Sequence, residues 1–177
     1  MIKHNYFILT GAMGGGKSTI LAKLAEAGVY CVPEPARAIL AEQRMIASSG
    51  VPELNAEAFN ALMLGRAIHN YQEKQPLSHS IIFDRAIPDM IAYANLFQLD
   101  TTAYVNASQA LRYNPTVFYF AAWQEIYTND EERKIGFAGA QAFGIDVKAI
   151  YEHLGYHMLE VPQLSIAERA KFILERI

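Results

Sequence analysis

Eight consecutive residues near the start of the chain have the types and spacing that suit a bound phosphate chain. Gly11-Ala12-Met13-Gly14-Gly15-Gly16-Lys17-Ser18 fits G-x-x-x-x-G-K-[ST], the phosphate-binding P-loop. Glycine lets the backbone turn through positive φ and aim successive N–H groups inward, where a Cβ would block a phosphate oxygen. Gly11, Gly14, Gly15 and Gly16 are the candidates for that cradle. Lys17 could then reach the β- and γ-phosphates of a nucleoside triphosphate, and the Ser18 hydroxyl could hold Mg²⁺, with Thr19 next in the same nucleotide-binding set. A helix opening at Gly16 would add unpaired N–H groups and its positive dipole end, about 0.3–2 kcal/mol toward an anion.

Carboxylates and arginines further along stand where such a loop could use them. Asp84 ends the apolar run Ile81-Ile82-Phe83, a position from which a carboxylate can hold a magnesium water or orient an attacking hydroxyl. Capping the next helix is its plainer role. Arg85 could grip an anionic substrate, bridge the rim or make an ordinary surface ion pair. Glu34 follows Val29-Tyr30-Cys31-Val32 and could take the proton of an acceptor hydroxyl, the general-base task in phosphoryl transfer, or cap the helix after it. Arg37, about one turn on, faces either the same cleft or solvent. Arg133 and Lys134 follow an acidic stretch, the arrangement of a lid over about residues 125–140 that closes on phosphates. An arginine in such a place is worth ~10³–10⁵ in rate, although acids followed by bases also mark any solvated helix start.

Other candidates are plainer. Tyr71, Tyr93, Phe97 and Trp123 read first as core, with base stacking the alternative, and Arg66 and Arg112 have no context that singles them out. Cys31 reads as a small buried hydrophobe. His153 and His157 straddle Gly155, so they would not share a helix face, and Mg²⁺ arriving with the nucleotide is the one metal expected.

These residues need a scaffold that gathers them, and the apolar pattern supplies one. Short continuous apolar runs at about Asn5 to Thr10, Val29 to Val32, Ser80 to Asp84, Thr116 to Ala121 and His157 to Val161 read as strands buried on both faces. Helical spacing falls between them: about Gly16 to Ala27, Ala36 to Ser48, Leu54 to Glu73, Asp89 to Phe97, Thr101 to Tyr113 and a helix reaching about Leu154 that opens in the polar stretch from Tyr127 to Lys134. Gly28 and Gly155 supply stops, and Ser165 with Glu168 starts the last helix with a capping-box pattern. Strands alternating with helices give an open parallel α/β sheet whose ligands sit at the carboxyl ends of the strands. That rule puts the glycine loop, Glu34 and Asp84-Arg85 on one rim.

Bulk composition narrows the function. With 177 residues, 52% hydrophobic and 19% charged, one domain spanning 1–177 can close a full core. A net charge of −3 without a Lys/Arg block leaves no footprint for a nucleic-acid polymer or an anionic membrane surface. The single cysteine excludes an internal disulfide, no leader pattern stands at the N-terminus and no apolar run approaches the ~20 residues of a membrane helix. A cytoplasmic protein is expected, with a homodimer left open.

The same motifs resemble a known group. Gly11 to Ser18, Glu34-Pro35, Asp84-Arg85 and the basic lid are similar to the nucleoside and nucleotide kinase branch of P-loop proteins, where Glu-Pro follows the second strand and Asp-Arg or Glu-Arg the third. The runs Val32 to Ile39, Ile82 to Asp89 and Leu154 to Ala170 look closer still to the small AAA-type ATPase group that includes the nicotinamide ribose kinase domain of NadR. The resemblance covers nearly the whole chain. It implies a three-layer P-loop NTPase fold with a five-stranded parallel sheet in the order 2-3-1-4-5, ATP with Mg²⁺, and transfer of the γ-phosphoryl group to a small acceptor. Carried over by position, Lys17 and Ser18 serve ATP and magnesium, Asp84 the magnesium shell or the base, Glu34 the acceptor and Arg133 the lid. Many members of this group are known only as ATPases by inference, so the acceptor does not transfer. One Arg-Lys pair in the lid is fewer cations than nucleoside monophosphate kinases show, which tilts the expectation toward an uncharged, nucleoside-like acceptor. The alternative is a nucleotide-dependent ATPase switch or binding module without an acceptor. Its GTPase version is weakened because the chain has neither Asn-Lys-x-Asp nor an Asp-x-x-Gly after the third strand.

Overall fold

The computed structural model describes residues 2–128 and 135–177. Five strands, β1 (Tyr6–Gly11), β2 (Tyr30–Val32), β3 (Ile81–Asp84), β4 (Thr116–Phe120) and β5 (His157–Glu160), form one parallel sheet in the order β2-β3-β1-β4-β5. The central strand is almost continuously apolar, and every residue of β1 is buried. Strand alternation sorts its side chains onto two faces. Tyr6 and Ile8 join Ile81, Phe83 and Val117 on one face, while Phe7 and Leu9 join Ile82, Phe118 and Phe120 on the other.

Helices cover both faces, as a parallel sheet requires. α1 (Lys17–Glu26) and α7 (Ile166–Leu174) lie together on the Phe7 face, contributing Ile20, Leu24, Ala170 and Ile173. α3 (Pro52–Glu73), α4 (Asp89–Leu96) and α6 (Phe137–His153) cover the Tyr6 face through Tyr71, Ala92, Phe143, Val147 and Tyr151. α2 (Ala36–Met45) and α5 (Thr102–Ala110) close a third cluster around Phe59, Met63 and Met90.

Element boundaries differ from the expected ones where local hydrogen bonds intervene. α3 begins at Pro52, but Asn55 leaves helical geometry and its Oδ1 accepts from the Ala58 amide, so Asn55 caps the main run. α5 ends at Ala110 because Arg112 is drawn into a bridge with Ile2. The expected helix start between Tyr127 and Lys134 falls largely on residues outside those described, and α6 is seen from Phe137. The capping box at Ser165 forms: its hydroxyl accepts from the Glu168 amide while the Glu168 carboxylate accepts from the Ser165 amide.

Register brings the chemistry to one edge. Leu9 pairs with Asp84 and Val32 with Phe83, so Asp84 and the Pro33-Glu34 segment leave the sheet beside the end of β1. Gly11 pairs with Phe120, at the end of β4.

Candidate active site

The P-loop turns out of β1 into α1 through positive φ at Gly11, Gly14 and Gly16. Gly15 does not share that conformation, and the glycines have different reasons to lack a side chain. A Cβ at Gly11 would lie 2.2 Å from the Phe120 carbonyl oxygen, so this position is dictated by the neighbouring strand. A Cβ at Gly16 would meet the Arg169 guanidinium at 2.8 Å. The start of α1 has no side-chain cap and no acidic residue in its first turn, and Ser18 and Thr19 are exposed there. This leaves amide donors and the helix dipole facing the cleft. Lys17 is buried and its Nζ donates to the Ala12 carbonyl at 2.7 Å. Burial and the nearby Arg85 cation lower its pKa, against the pull of Asp84, Glu34 and Asp89.

Asp84 is also buried, and burial, reinforced by Glu34 and Asp89, raises its carboxyl pKa despite Lys17 and Arg85. Among the described residues its Oδ1 has no hydrogen-bond partner. A buried acceptor oxygen without a donor, in the same cleft as the exposed Ser18 hydroxyl, fits a hard cation bound through oxygen. The donor set therefore suits Mg²⁺.

Arg85 sits with φ of 62° and 4% exposure at the centre of a charged network. Its Nε lies 2.9 Å from Glu34 Oε1, and its Nη1 donates to Asp89 Oδ1 at 2.9 Å and to the Gly11 carbonyl at 3.2 Å. Asp89 is wholly buried and accepts further bonds from the Thr10 hydroxyl, the Ala86 amide and the Tyr151 hydroxyl. The Tyr93 hydroxyl donates to Glu34 Oε1 at 3.0 Å. Glu34 is thus fixed through one oxygen by a cation and a phenol, leaving Oε2 as the oxygen a hydroxyl could approach.

One cleft of about 880 Å³ joins these groups. Lys17, Ser18 and Thr19 lie along it, with Glu34, Arg37, Asp84 and Arg85 toward one end, where Tyr93, Phe97 and Phe59 form apolar walls. Toward the other end lie Trp123, Ile126, Leu164 and Arg169. Gly14 and Gly16 line it as well, whereas Gly11 and Gly15 stand behind, packed on the end of β4.

Comparison with known proteins follows the geometry. Residues 6–169 match the family described as AAA domain. The chain belongs to this family. Its fold is similar to that of deoxyadenosine kinase from M. mycoides solved with dCMP and dCDP, at 18% identity over 97% of each chain and a TM-score of 0.70. It is similar to thymidylate kinase from Ehrlichia chaffeensis, at 18% identity over 98% of this chain and 97% of that one, with a TM-score of 0.63. Shikimate kinase from Acinetobacter baumannii aligns at 16% identity over 96% of this chain and 90% of that one, with a TM-score of 0.57. No curated protein matches in sequence. At such identities the likeness establishes a shared fold.

Within this AAA-domain chain, Lys17, Ser18, Thr19, Glu34, Arg37, Asp84 and Arg85 are brought together, while Arg133 and Lys134 lie outside the described residues. Tyr71 is core, but Tyr93, Phe97 and Trp123 line the cleft. Two buried residues were not singled out from the sequence. Asp89 had a signal, since it stands one helical turn after Arg85. Arg169 had none: it reaches the Gly15 carbonyl, at 2.8 Å, across 154 positions of chain. No helix among the described residues is long and apolar enough to cross a membrane.

Proposed function

We propose that the protein is an ATP-dependent phosphotransferase that moves the γ-phosphoryl group to a hydroxyl of a small, uncharged, nucleoside-like acceptor. The observation that carries this reading is the cleft of about 880 Å³ in which a P-loop and two carboxylates, Glu34 and Asp84, share walls with the aromatic rings of Tyr93, Phe97 and Phe59. The names of the similar folds support it, since all three are kinases of small molecules.

In this mechanism the amides of the P-loop and the Lys17 ammonium hold the phosphates in place. The acceptor enters between Tyr93, Phe97 and Phe59 and presents its hydroxyl to Glu34 Oε2. Glu34 takes the proton as the oxygen attacks phosphorus in line and ADP leaves. Ser18 Oγ and Asp84 Oδ1 would hold Mg²⁺, which when bound neutralises charge on the β- and γ-phosphates. Arg133, from the lid segment, would add positive charge as the γ-phosphoryl group transfers. Arg85 keeps Glu34 in position. Its charge is matched by Glu34 and Asp89, which favours an acceptor without a phosphate of its own. Arg37 flanks the pocket mouth.

The AAA-domain match favours a second reading, in which the same loop drives ATP hydrolysis as a conformational switch. Incubation with Mg-ATP and a panel of nucleosides, nucleotides and vitamin-like ribosides, following ADP release, separates the two. Dependence on one acceptor is expected; slow release indifferent to every acceptor would leave only the switch.

A further inference from the structure

A second hollow lies apart from the cleft and shares no lining residue with it. Its volume is about 440 Å³, within the range of small-molecule sites. Ile91 of α4, Val105 of α5, and Ile150 and Leu154 at the end of α6 make its apolar walls, and Arg112 stands among them. Arg112 is half-buried. Its guanidinium lies 4.0 Å from the centroid of the Tyr156 ring and gives one N–H to the Leu154 carbonyl at 2.9 Å. Among the described residues no carboxylate lines the hollow. Two acids of α6 are engaged elsewhere: Asp146 accepts from Asn95 Nδ2 at 3.3 Å, and Glu152 lies toward Tyr119 of β4. A planar cation with N–H groups to spare, set beside apolar surface, suits a carboxylate carried on an apolar body.

The same arginine begins a chain of contacts that ends at Glu34. The Tyr156 ring beneath it meets Tyr151 edge to face at 5.4 Å, and the Tyr151 hydroxyl donates to Asp89 Oδ2 at 2.6 Å. Asp89 Oδ1 accepts from Arg85 at 2.9 Å, and Arg85 Nε lies 2.9 Å from Glu34 Oε1. Tyr156, Tyr151, Asp89 and Arg85 are all buried, in an interior packed too densely to absorb a displacement locally. Both helices that supply Asp89 and Tyr151 also wall the hollow, through Ile91 and Ile150. We propose that this hollow is a second ligand site, for a small monocarboxylate with an apolar body about the size of a phenyl group, and that its occupancy is felt at Glu34 through these four residues. The site does not depend on the phosphotransferase reading, which decides only what a change at Glu34 does.

Contiguity by itself does not make coupling, so the test reads both ends of the chain. Titrated by calorimetry into the whole protein, 3-phenylpropionate should bind, and 3-phenylpropanol, which lacks the charge, should bind roughly 10- to 100-fold more weakly. Arg112→Gln should weaken the carboxylate by a similar factor and leave the alcohol nearly unaffected. Ala149→Phe, at an exposed position of α6 that lines the hollow, should block both while unfolding at the wild-type temperature. Amide NMR then reads the far end. Saturation with 3-phenylpropionate should move the resonances of Glu34 and Arg85 together with those of Gln109 and His153 at the hollow. Tyr151→Phe keeps the ring and removes the hydroxyl, so the carboxylate should still bind and move only the second pair. Absence of binding, or an affinity that neither Arg112→Gln nor Ala149→Phe changes, would overturn the site. So would a dimer that Ala149→Phe dissociates, which would give the hollow to a second copy of the chain. Glu34 and Arg85 resonances that stay fixed in the wild type, or still move in Tyr151→Phe, would overturn the coupling. No acceptor and no turnover enter the experiment, so its failure and that of the kinase reading are separate results.

Discussion

The two ends of the cleft are built on opposite plans. On the P-loop side the cleft presents main-chain amides, a helix start without acidic residues and one lysine, with an aromatic surface beyond. On the Glu34 side Glu34, Arg85, Asp89, Tyr93, Tyr151 and Thr10 are interlocked side chains from β1, α4, α6 and the segments after β2 and β3. The difference teaches where precision comes from in each half. Backbone geometry can receive a phosphate chain whatever lies around it, whereas a carboxylate aimed at one hydroxyl must be held by partners that are themselves held.

Breaking the P-loop side should have the largest effect. Lys17→Ala should abolish turnover in either functional reading, measured as ADP release at saturating Mg-ATP; residual activity near wild type would remove Lys17 from the phosphate site. Glu34→Gln should come next. It should leave ATP affinity nearly unchanged and cut transfer by roughly 10²–10⁴, the range for a lost general base. Near-normal transfer would pass the base role to Asp84 or to none.

The network on the Glu34 side can be sharpened through stability. Asp89→Ala strands the Arg85 charge and frees the Thr10 and Tyr151 hydroxyls in the interior, so urea unfolding should show a loss of about 3–5 kcal/mol. A loss within the ordinary surface range, about 0.5 kcal/mol, would mean that the network does not hold the site together.

The smallest effect concerns pH. Burial puts the Asp84 carboxyl at about 6, above its ordinary 3.8, so the neutral form suits the folded chain better. Its contribution to stability is present below 3.8 and is lost as pH rises through about 6. Lys17 is lowered to about 8 from 10.5, so its contribution is present above 10.5 and is lost as pH falls through about 8. At neutral pH the ligand-free site therefore holds two charges at some cost. Asp84→Asn should raise stability at pH 7 by about 1 kcal/mol and flatten the fall between pH 4 and 7. Unfolding at a series of pH values checks both.

The same contrast explains what could be read from the sequence. The P-loop was legible because its residues are contiguous and its apolar strand and helix start flank it. Strand order, by comparison, entered through resemblance, and the sheet has the order β2-β3-β1-β4-β5. Glu34 and Asp84 were legible as strand-end carboxylates, since parallel sheets gather ligands at that edge. The network behind them was not, because Tyr151 reaches Asp89 across 62 positions and Tyr93 reaches Glu34 across 59. Arg169 was hidden for the same reason, and Trp123 stood in the sequence as core or stacking surface with nothing to choose between them. An aromatic residue or a buried arginine shows its neighbours only once helix packing is known.

The claim beneath all of this is that a γ-phosphoryl group leaves ATP for a hydroxyl held at Glu34. Following γ-labelled ATP with the acceptor that stimulates ADP release tests it most directly. The account predicts label covalently bound to that acceptor in step with ADP; label recovered only as inorganic phosphate would contradict it.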